Sequence, residues 1–220
     1  MDIDREQSDK LLTTTRGVRR RLDFNRQVER SVLEDCVRIA LQAPIGARDQ
    51  KQHFVIVMDA GKRMKIADIY RGIALPYIEE REAFAASLEP GDPNAELILG
   101  NLGLAKWQAE TLHEVPCMVI MAKEGRVEES DTFTQASFYG SILPAAWSFM
   151  LALRTRGLGA CWTTLHIGDE QEAARVLGVP DDVTQAVMLT VGYYKGETFK
   201  PATRVAPKDQ IHWDSWGAHD

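Results

Sequence analysis

The sequence predicts one domain of mixed α/β or α+β class, in which helices cover a single sheet. Four short runs of apolar, β-branched and aromatic residues have the character of strands, and helical segments separate them along the chain. The segment from Thr132 to Leu165 supplies a long helix followed directly by a strand, which we take as the centre of the fold. No linker-like stretch offers a boundary, so residues 1–220 are predicted to form a single domain.

The charge pattern identifies the central helix. No residue between Asp131 and Arg154 is charged, although 26% of the chain consists of charged residues. Two apolar stripes recur at helical spacing: Phe138, Ile142, Ala145, Phe149 and Leu153 form one, and Tyr139, Leu143, Ala146 and Met150 form the other. A helix that is apolar on most of its circumference is buried in a core or at a subunit interface. Its length also suits a membrane span, but its glutamine and serines count against that alternative.

Proline and glycine limit this helix. Pro144 is expected in its first turn or at a kink, because proline lacks a backbone donor. The helix is expected to end at Arg156-Gly157, since glycine readily takes the left-handed closing conformation. A short buried strand from Leu158 to Leu165 should follow.

The remaining elements follow from the same periodicities. In chain order they are a short helix capped by Ser8 or Asp9 and reaching Thr15, an amphipathic helix Glu29–Ala43, a strand His53–Met58, a helix from the Asp59–Gly61 turn to Tyr70, a helix Leu102–His113, a strand Pro116–Ala122, a helix Asp169–Leu177 and a strand Val187–Tyr194. Residues 72–100 are acidic and interrupted by prolines and a glycine, which predicts a helix followed by a mobile excursion. Residues 1–10 are predicted to form a polar N-terminal arm, and residues 195–220 a wrapping C-terminal arm.

Composition excludes several classes of protein. The net charge of −6 argues against a general binder of nucleic acid or of anionic membranes. Three cysteines in apolar surroundings do not make a disulfide framework, and no cysteine–histidine spacing supplies two pairs of metal ligands. The first ten residues are polar and acidic, unlike a signal or transit peptide. The expected location is therefore the cytoplasm, with no metal site.

An arginine cluster is the most prominent candidate for binding. Arg16, Arg19, Arg20 and Arg21 lie within six positions. Such a cluster can be a solvated patch, a nucleic-acid patch or a phosphate clamp. Arginine suits the last role because its planar fork contacts a phosphate at two points, and Gly17 would let backbone amides approach the same anion. The residues alone leave these three interpretations open.

Four segments in order carry a family resemblance. They are TTTRGVRRRLDF, LQAPIGARDQKQHFVIV, SFYGSILPAAWSFMLALRTRGLGACWTTLHI and FKPATR with the later HWDSW. Together, from about Leu11 to Trp216, they resemble the FMN-dependent nitroreductase family, and within it an actinobacterial branch. The resemblance implies an α+β homodimer with a mixed central sheet flanked by helices. It also implies that FMN occupies two clefts built from both subunits, and that a hydride passes from NADH or NADPH to a small nitroaromatic, quinone-like or activated-alkene acceptor.

The same resemblance assigns cofactor-binding positions. Those it implies are Arg16, Gly17 and Arg19 from the first motif, Pro44, Ile45, Gly46, Arg48 and Gln50 from the second, Thr163, Thr164 and Leu165 after the central helix, and Arg204 near the end. Arg16 and Arg204 would bind the phosphate, and Arg19 would lie nearer the pyrimidine edge. The second motif would come from the other subunit. No catalytic side chain is implied, because the flavin carries the chemistry.

Several positions depart from the family pattern. Ile45, Arg48 and Gln52 replace the usual Ser or Thr, Asn and Trp of the second motif, while Gly17 stands in place of Ser and Thr203 in place of Lys. The lost hydroxyl and amide groups favour an alternative, a flavin-binding protein of the same fold with little nitroreductase turnover. For Arg48 two roles stay open: a salt bridge to Asp49 or another local acid, or a cation over the cleft that selects anionic substrates.

Overall fold

The computed structural model describes residues 3–219, apart from the side chain of Ala47. Residues 16–196 form one compact unit, and residues 3–15 with 197–219 form a second. The predicted α+β class is confirmed, because helices are combined with a sheet whose neighbouring strands pair antiparallel rather than parallel. That the whole chain is one domain stays a prediction.

The strands of the described chain form one four-stranded sheet. They are β1 (Gln52–Val57), β2 (Cys117–Glu124), β3 (Leu158–Thr163) and β4 (Val183–Tyr193), in the spatial order β1-β2-β4-β3. Neighbouring strands pair antiparallel throughout. The central pair β2 and β4 is almost wholly buried, which explains its continuous apolar runs. An isolated parallel bridge joins Gly17 to Ala160 of the edge strand β3. The chain near the arginine cluster therefore lies along the β3 edge of the sheet.

The helices are α1 (Arg5–Thr14), α2 (Arg30–Ala40), α3 (Ala60–Ala86), α4 (Pro93–Thr111), α5 (Thr132–Arg154) and α6 (Glu170–Leu177). Aspartate side chains cap the starts of most of them by accepting a backbone N–H, as Asp59, Asp92 and Asp131 do. Asp4 caps α1, so the prediction of Ser8 or Asp9 was wrong. The element bounds otherwise lie within a few residues of the predicted ones, except in the region after Tyr70.

The predicted central helix is α5, and it supplies much of the core. Ile142, Phe149 and Leu153 are fully buried, and the Phe149 ring lies 5.7 Å from that of Phe54 on β1. α5 is also the one helix of the described chain that is long and apolar enough to cross a membrane by length and composition alone. Half of its most apolar stretch is buried inside the protein, and the core helix of a soluble protein can have the same length and composition.

Residues 72–100 do not contain the predicted excursion. α3 continues through Pro76 to Ala86, residues 87–92 form a turn, and α4 begins at Pro93. Pro144 likewise lies in the interior of α5 rather than in its first turn. An interior proline clashes with the carbonyl four residues earlier. At both sites that residue is an exposed glycine, Gly72 or Gly140, which leaves the backbone room to adjust and its carbonyl open to water.

His166 is a buried histidine next to the end of β3. Its side chain is 0% exposed, and neither ring nitrogen has a hydrogen-bond partner among the described residues. Burial lowers the pKa of His166 to about 4, against about 6.5 in an unfolded chain. The imidazole therefore stays neutral in the fold at neutral pH.

This pKa predicts a pH-dependent loss of stability. Between pH 6.5 and 4 the unfolded chain binds a proton at His166 that the folded chain does not, so the stabilising contribution is complete above 6.5 and is lost as the pH falls towards 4. The loss should approach about 1.4 kcal/mol per pH unit. Urea unfolding of the parent and of His166→Leu across this range measures it. The variant should lack that part of the slope, and equal slopes would contradict the prediction.

Candidate functional site

The arginine cluster is fixed to the sheet by its neighbours. The Val18 N–H donates to the Ala160 carbonyl at 2.8 Å, and the Val18 side chain is buried. Arg16 and Gly17 are exposed beside it, whereas Arg19 is half-buried. Residues 16–19, which we call the arginine segment, therefore have a defined position along the outer edge of β3. A loosely solvated patch would not need this anchoring.

Gly159 makes that position possible. A Cβ atom at residue 159 would lie 2.8 Å from both Cβ and Cγ2 of Val18, which is closer than side chains tolerate. The absence of a side chain at Gly159 lets the arginine segment pack directly on β3.

We expect Gly159→Ala to displace the arginine segment from β3. The added methyl forces Val18 away from the strand, so overpacking should cost about 1–3 kcal/mol of folding stability. The displaced Arg16 and Arg19 should then bind their ligand more weakly. Isothermal titration with FMN measures the effect. Val18→Gly removes the clashing Cβ as well as the Cγ atoms, so the double variant should recover most of the lost affinity. No difference between the single and double variants would contradict the packing argument.

Arg19 is oriented by an uncharged residue. Its Nε donates to Oε1 of Gln108 on α4 at 2.7 Å, and the Cys161 thiol donates to the same oxygen at 3.4 Å. Burial raises the pKa of Cys161, so the sulfur keeps its proton and remains a donor. None of the carboxylates that the structure describes forms an ion pair with Arg19. Its positive charge is therefore uncompensated within this part of the chain.

The end of β3 lies close to Cys161, which contacts Gln108 together with Arg19. Thr163 ends the strand, and its Oγ1 lies 3.3 Å from the hydroxyl of Tyr70 on α3. Thr163 and Cys161 are two residues apart on one strand, so their side chains lie on the same face. Burial raises the pKa of Tyr70, so this hydroxyl stays protonated at neutral pH. Thr164 is exposed and leads through Leu165 into the 3₁₀ turn Leu165–Asp169.

Three contacts hold the loop of the second motif, Pro44–Gln50. Two come from residues within the loop, and the third comes from Gln52 directly after it. The Gly46 N–H donates to Ser141 Oγ at 3.1 Å, and Gln52 Nε2 donates to the Ser141 carbonyl at 2.8 Å. Asp49 pairs with the buried Lys123 of β2 at 2.8 Å. This hydrogen bond lowers the pKa of Asp49, which keeps the carboxylate charged. The loop is thus attached to α5 and β2.

Arg48 does not form the salt bridge that the sequence left open. Asp49 is occupied by Lys123, with Lys51 3.9 Å away. Arg48 has a left-handed backbone, with φ of 57°, and its exposed side chain makes no hydrogen bond or ion pair with any described residue. A non-glycine residue in this conformation costs free energy, so the surrounding loop must enforce it. The guanidinium is consequently available to a partner or ligand.

One copy of the chain places the two motifs at opposite edges of the sheet. The Pro44–Gln50 loop immediately precedes β1, whereas the arginine segment lies outside β3, and β2 and β4 separate these two strands. Three strand spacings correspond to about 14 Å. The arginine segment therefore lies beside β3, which ends at Thr163, and the second motif is not brought to it within one copy.

The remaining candidates for a functional role are Arg204, a metal site and the cysteines. Arg204 belongs to the second compact unit, where its side chain is exposed and Nη1 donates to the Thr203 carbonyl at 3.4 Å. Its predicted role at the phosphate stays a prediction. Among residues 3–219, no group of three or more His, Cys, Asp or Glu side chains is placed to hold a metal ion. The three cysteines are buried and not joined in disulfides.

Comparison with known proteins gives consistent results. The sequence profile described as "Nitroreductase family" matches residues 12–193. The Archaeoglobus fulgidus protein named "Putative NADH dehydrogenase/NAD(P)H nitroreductase" is 24% identical over 212 residues, covering 94% of this chain and 97% of that protein. Human iodotyrosine deiodinase 1 is 28% identical over 207 residues, covering 91% of this chain and 66% of that enzyme.

The fold has the same relatives. The crystal structure of oxidised iodotyrosine deiodinase bound to FMN and 3-iodo-L-tyrosine matches with a TM-score of 0.67. The match covers 94% of this chain and 98% of that chain at 20% identity. At that identity the likeness shows a shared fold rather than a shared substrate.

Proposed function

The chain belongs to the nitroreductase family and has an FMN-binding oxidoreductase fold, and from this premise we propose that it transfers a hydride from NADH or NADPH, through FMN, to a small acceptor. The acceptor would be a nitroaromatic, a quinone-like compound or an activated alkene. The observation that carries the proposal is the uncompensated Arg19 beside Gly17 and the end of β3. Such a donor set suits an anionic cofactor, because a positive charge without a carboxylate partner remains available to it.

The residues present fit FMN. Arg16 would bind the phosphate, and Arg19 would approach the pyrimidine edge, where positive charge stabilises the reduced cofactor. Bound FMN would supply the hydride chemistry. The task of the protein is then to hold the ring with one face open, so that donor and acceptor use the same cleft in turn. Alternating use of one cleft predicts ping-pong kinetics.

A second copy of the chain would complete each cleft. α5 carries an uncharged surface stripe that contains Phe133, Gly140 and Trp147, and Phe133 is 80% exposed in the single chain. An exposed apolar stripe on a core helix is typical of a subunit interface. A homodimer packed through α5 would cover this stripe. It would also bring the Pro44–Gln50 loop of one copy towards the arginine segment of the other. Within one copy, the strands next to these two segments are about three strand spacings, or about 14 Å, apart.

Purified protein tests the proposal. We expect added FMN to bind, and NADH or NADPH to bleach the bound flavin anaerobically. A protein that takes up FMN but is not bleached by either nicotinamide would favour the alternative, a flavin-binding protein with little turnover. A protein that does not bind added FMN would exclude both the oxidoreductase and the flavin-binding protein. Salt-sensitive binding of RNA or DNA that is lost in the Arg19→Ala, Arg20→Ala double variant would then assign the arginine cluster to nucleic acid.

Arg48 is the expected determinant of acceptor charge. Its unpaired guanidinium lies on the loop that would face the partner's flavin, so we expect Arg48→Asn to speed the reduction of a neutral nitrobenzene and to slow that of a carboxylated one. Opposite changes of about tenfold in kcat/KM are reasonable for one charge-assisted contact. 3-Iodo-L-tyrosine, the ligand of the deiodinase structure, belongs in the same panel of acceptors. Parallel changes for both nitrobenzenes would exclude Arg48 from the choice of substrate.

A further inference from the structure

Gln108 stands out among the buried polar residues near the site. It is 5% exposed, it lies on α4, and its Oε1 accepts from both Arg19 Nε and the Cys161 thiol. Its amide nitrogen has no hydrogen-bond partner among the described residues. A buried, unsatisfied N–H group costs free energy and is unusual in a folded protein. Nothing in the packing of α4 explains why an amide occupies this position.

Glutamate would serve the fold at least as well. A carboxylate of nearly the same shape would accept both hydrogen bonds, pair with Arg19, and remove the unsatisfied N–H. It would also cancel the positive charge of Arg19. The amide orients the guanidinium and leaves that charge intact, and Arg19 Nη1 lies close to Gly17 at the exposed side of the segment.

We infer that Gln108 is a positioning residue for the flavin, which holds Arg19 through a neutral oxygen so that its whole charge acts on the bound cofactor. The inference rests on the proposed function. Reduced FMN carries more negative charge at the pyrimidine ring than oxidised FMN does, so an intact Arg19 charge favours the reduced form. Gln108 thereby raises the reduction potential without touching the flavin.

The test is the midpoint potential of bound FMN, measured by spectroscopic titration against redox dyes. In Gln108→Glu, reduced FMN should bind about tenfold more weakly relative to oxidised FMN, which is a fall of about 30 mV for a two-electron couple. Gln108→Met keeps the shape but offers no acceptor, so Arg19 loses its orientation and the potential should fall in the same direction. Gln171→Glu adds the same charge on the exposed surface of α6 and is the matched control. It should leave the potential unchanged.

The outcomes separate the inference from the proposed function. A structural role for Gln108 would lower the melting temperature without moving the potential. Parental potentials in both Gln108 variants would therefore overturn the inference, as would a shift in Gln108→Glu no larger than in Gln171→Glu. If Gln108→Glu does not fold, the potential of Gln108→Met decides the question. A parent protein that binds no FMN would overturn the proposed function itself.

Discussion

Replacing Trp147 by glutamate should separate the proposed dimer and lower FMN affinity at least about a hundredfold. Trp147 lies on the uncharged stripe of α5 and is 38% exposed in the single chain. In a two-fold interface the substitution places two carboxylates near each other in an apolar contact, where burying an unpaired charge costs several kcal/mol. Loss of the partner would then remove half of each cleft. Sedimentation at micromolar concentration and quenching of FMN fluorescence measure the two effects.

Met64→Glu is the matched control for this experiment. Met64 lies on α3 and is 41% exposed, close to the value for Trp147, but it is outside the α5 stripe. We expect this variant to remain dimeric and to bind FMN as the parent does. A Trp147→Glu protein that remains a dimer with parental affinity would contradict the proposed interface. A folded parental monomer at nanomolar concentration would contradict it as well.

Removing the phosphate ligands should have the second largest effect. Arg16→Ala and Arg204→Ala should each weaken FMN binding by about ten- to a hundredfold, because a charge-assisted hydrogen bond contributes roughly 1.5 to 3 kcal/mol. Riboflavin lacks the phosphate, so its affinity should be the same in the parent and in both variants. Titrating each protein with both flavins measures the difference.

Arg20 provides an internal reference for that comparison. It is an exposed neighbour in the same cluster but is not among the predicted ligands, so Arg20→Ala should leave both affinities within about twofold. Arg16 takes part in an interaction within the chain, so the riboflavin titration also reports whether its loss disturbs the fold. If riboflavin affinity fell as far as FMN affinity in Arg16→Ala, the side chain would support the fold rather than bind phosphate.

Strong local patterns explain what could be predicted from the sequence. The uncharged run in α5 and the apolar runs of β2 and β4 are visible without tertiary information, and each forms the kind of element that was expected. The resemblance to nitroreductases added the FMN motifs. Each motif is weak alone, but the four occur in the order and spacing of the family. The order of strands and helices left α/β and α+β open, and it was the resemblance that implied α+β.

The mobile excursion predicted within residues 72–100 was wrong because the prolines and glycine there occupy a short turn and a helix start. α3 continues to Ala86, and α4 begins at Pro93, where a proline at the first helical position loses no hydrogen bond. Pro144 lies in the interior of α5, so its first-turn position is excluded and the kink stays a prediction.

Uncharged supporting residues could not be identified from the sequence. Gln108 and Tyr70 lie on long helices far from the arginine segment along the chain, and their roles depend on how α3 and α4 pack against β3. Gly159 likewise matters only because Val18 lies 2.8 Å from where its Cβ would be. These residues have no motif of their own, so only three-dimensional proximity shows what they do.

The central claim is that each FMN cleft combines the arginine segment of one copy with the Pro44–Gln50 loop of the other. A mixed dimer tests it most directly. One chain carries Arg16→Ala with Arg19→Ala, the other carries Arg48→Asp with Gln50→Ala, and different tags isolate the mixed dimer. Each variant alone should bind FMN weakly. In the mixed dimer one cleft would hold both defects and the other none.

FMN titration of the mixed dimer gives the answer as a stoichiometry. A cleft shared between copies predicts one FMN per dimer at parental affinity, because the unmodified loop of the first chain meets the unmodified arginines of the second. A cleft formed within one copy would leave a defect in both sites. A mixed dimer that forms but has no site of parental affinity would therefore contradict the account.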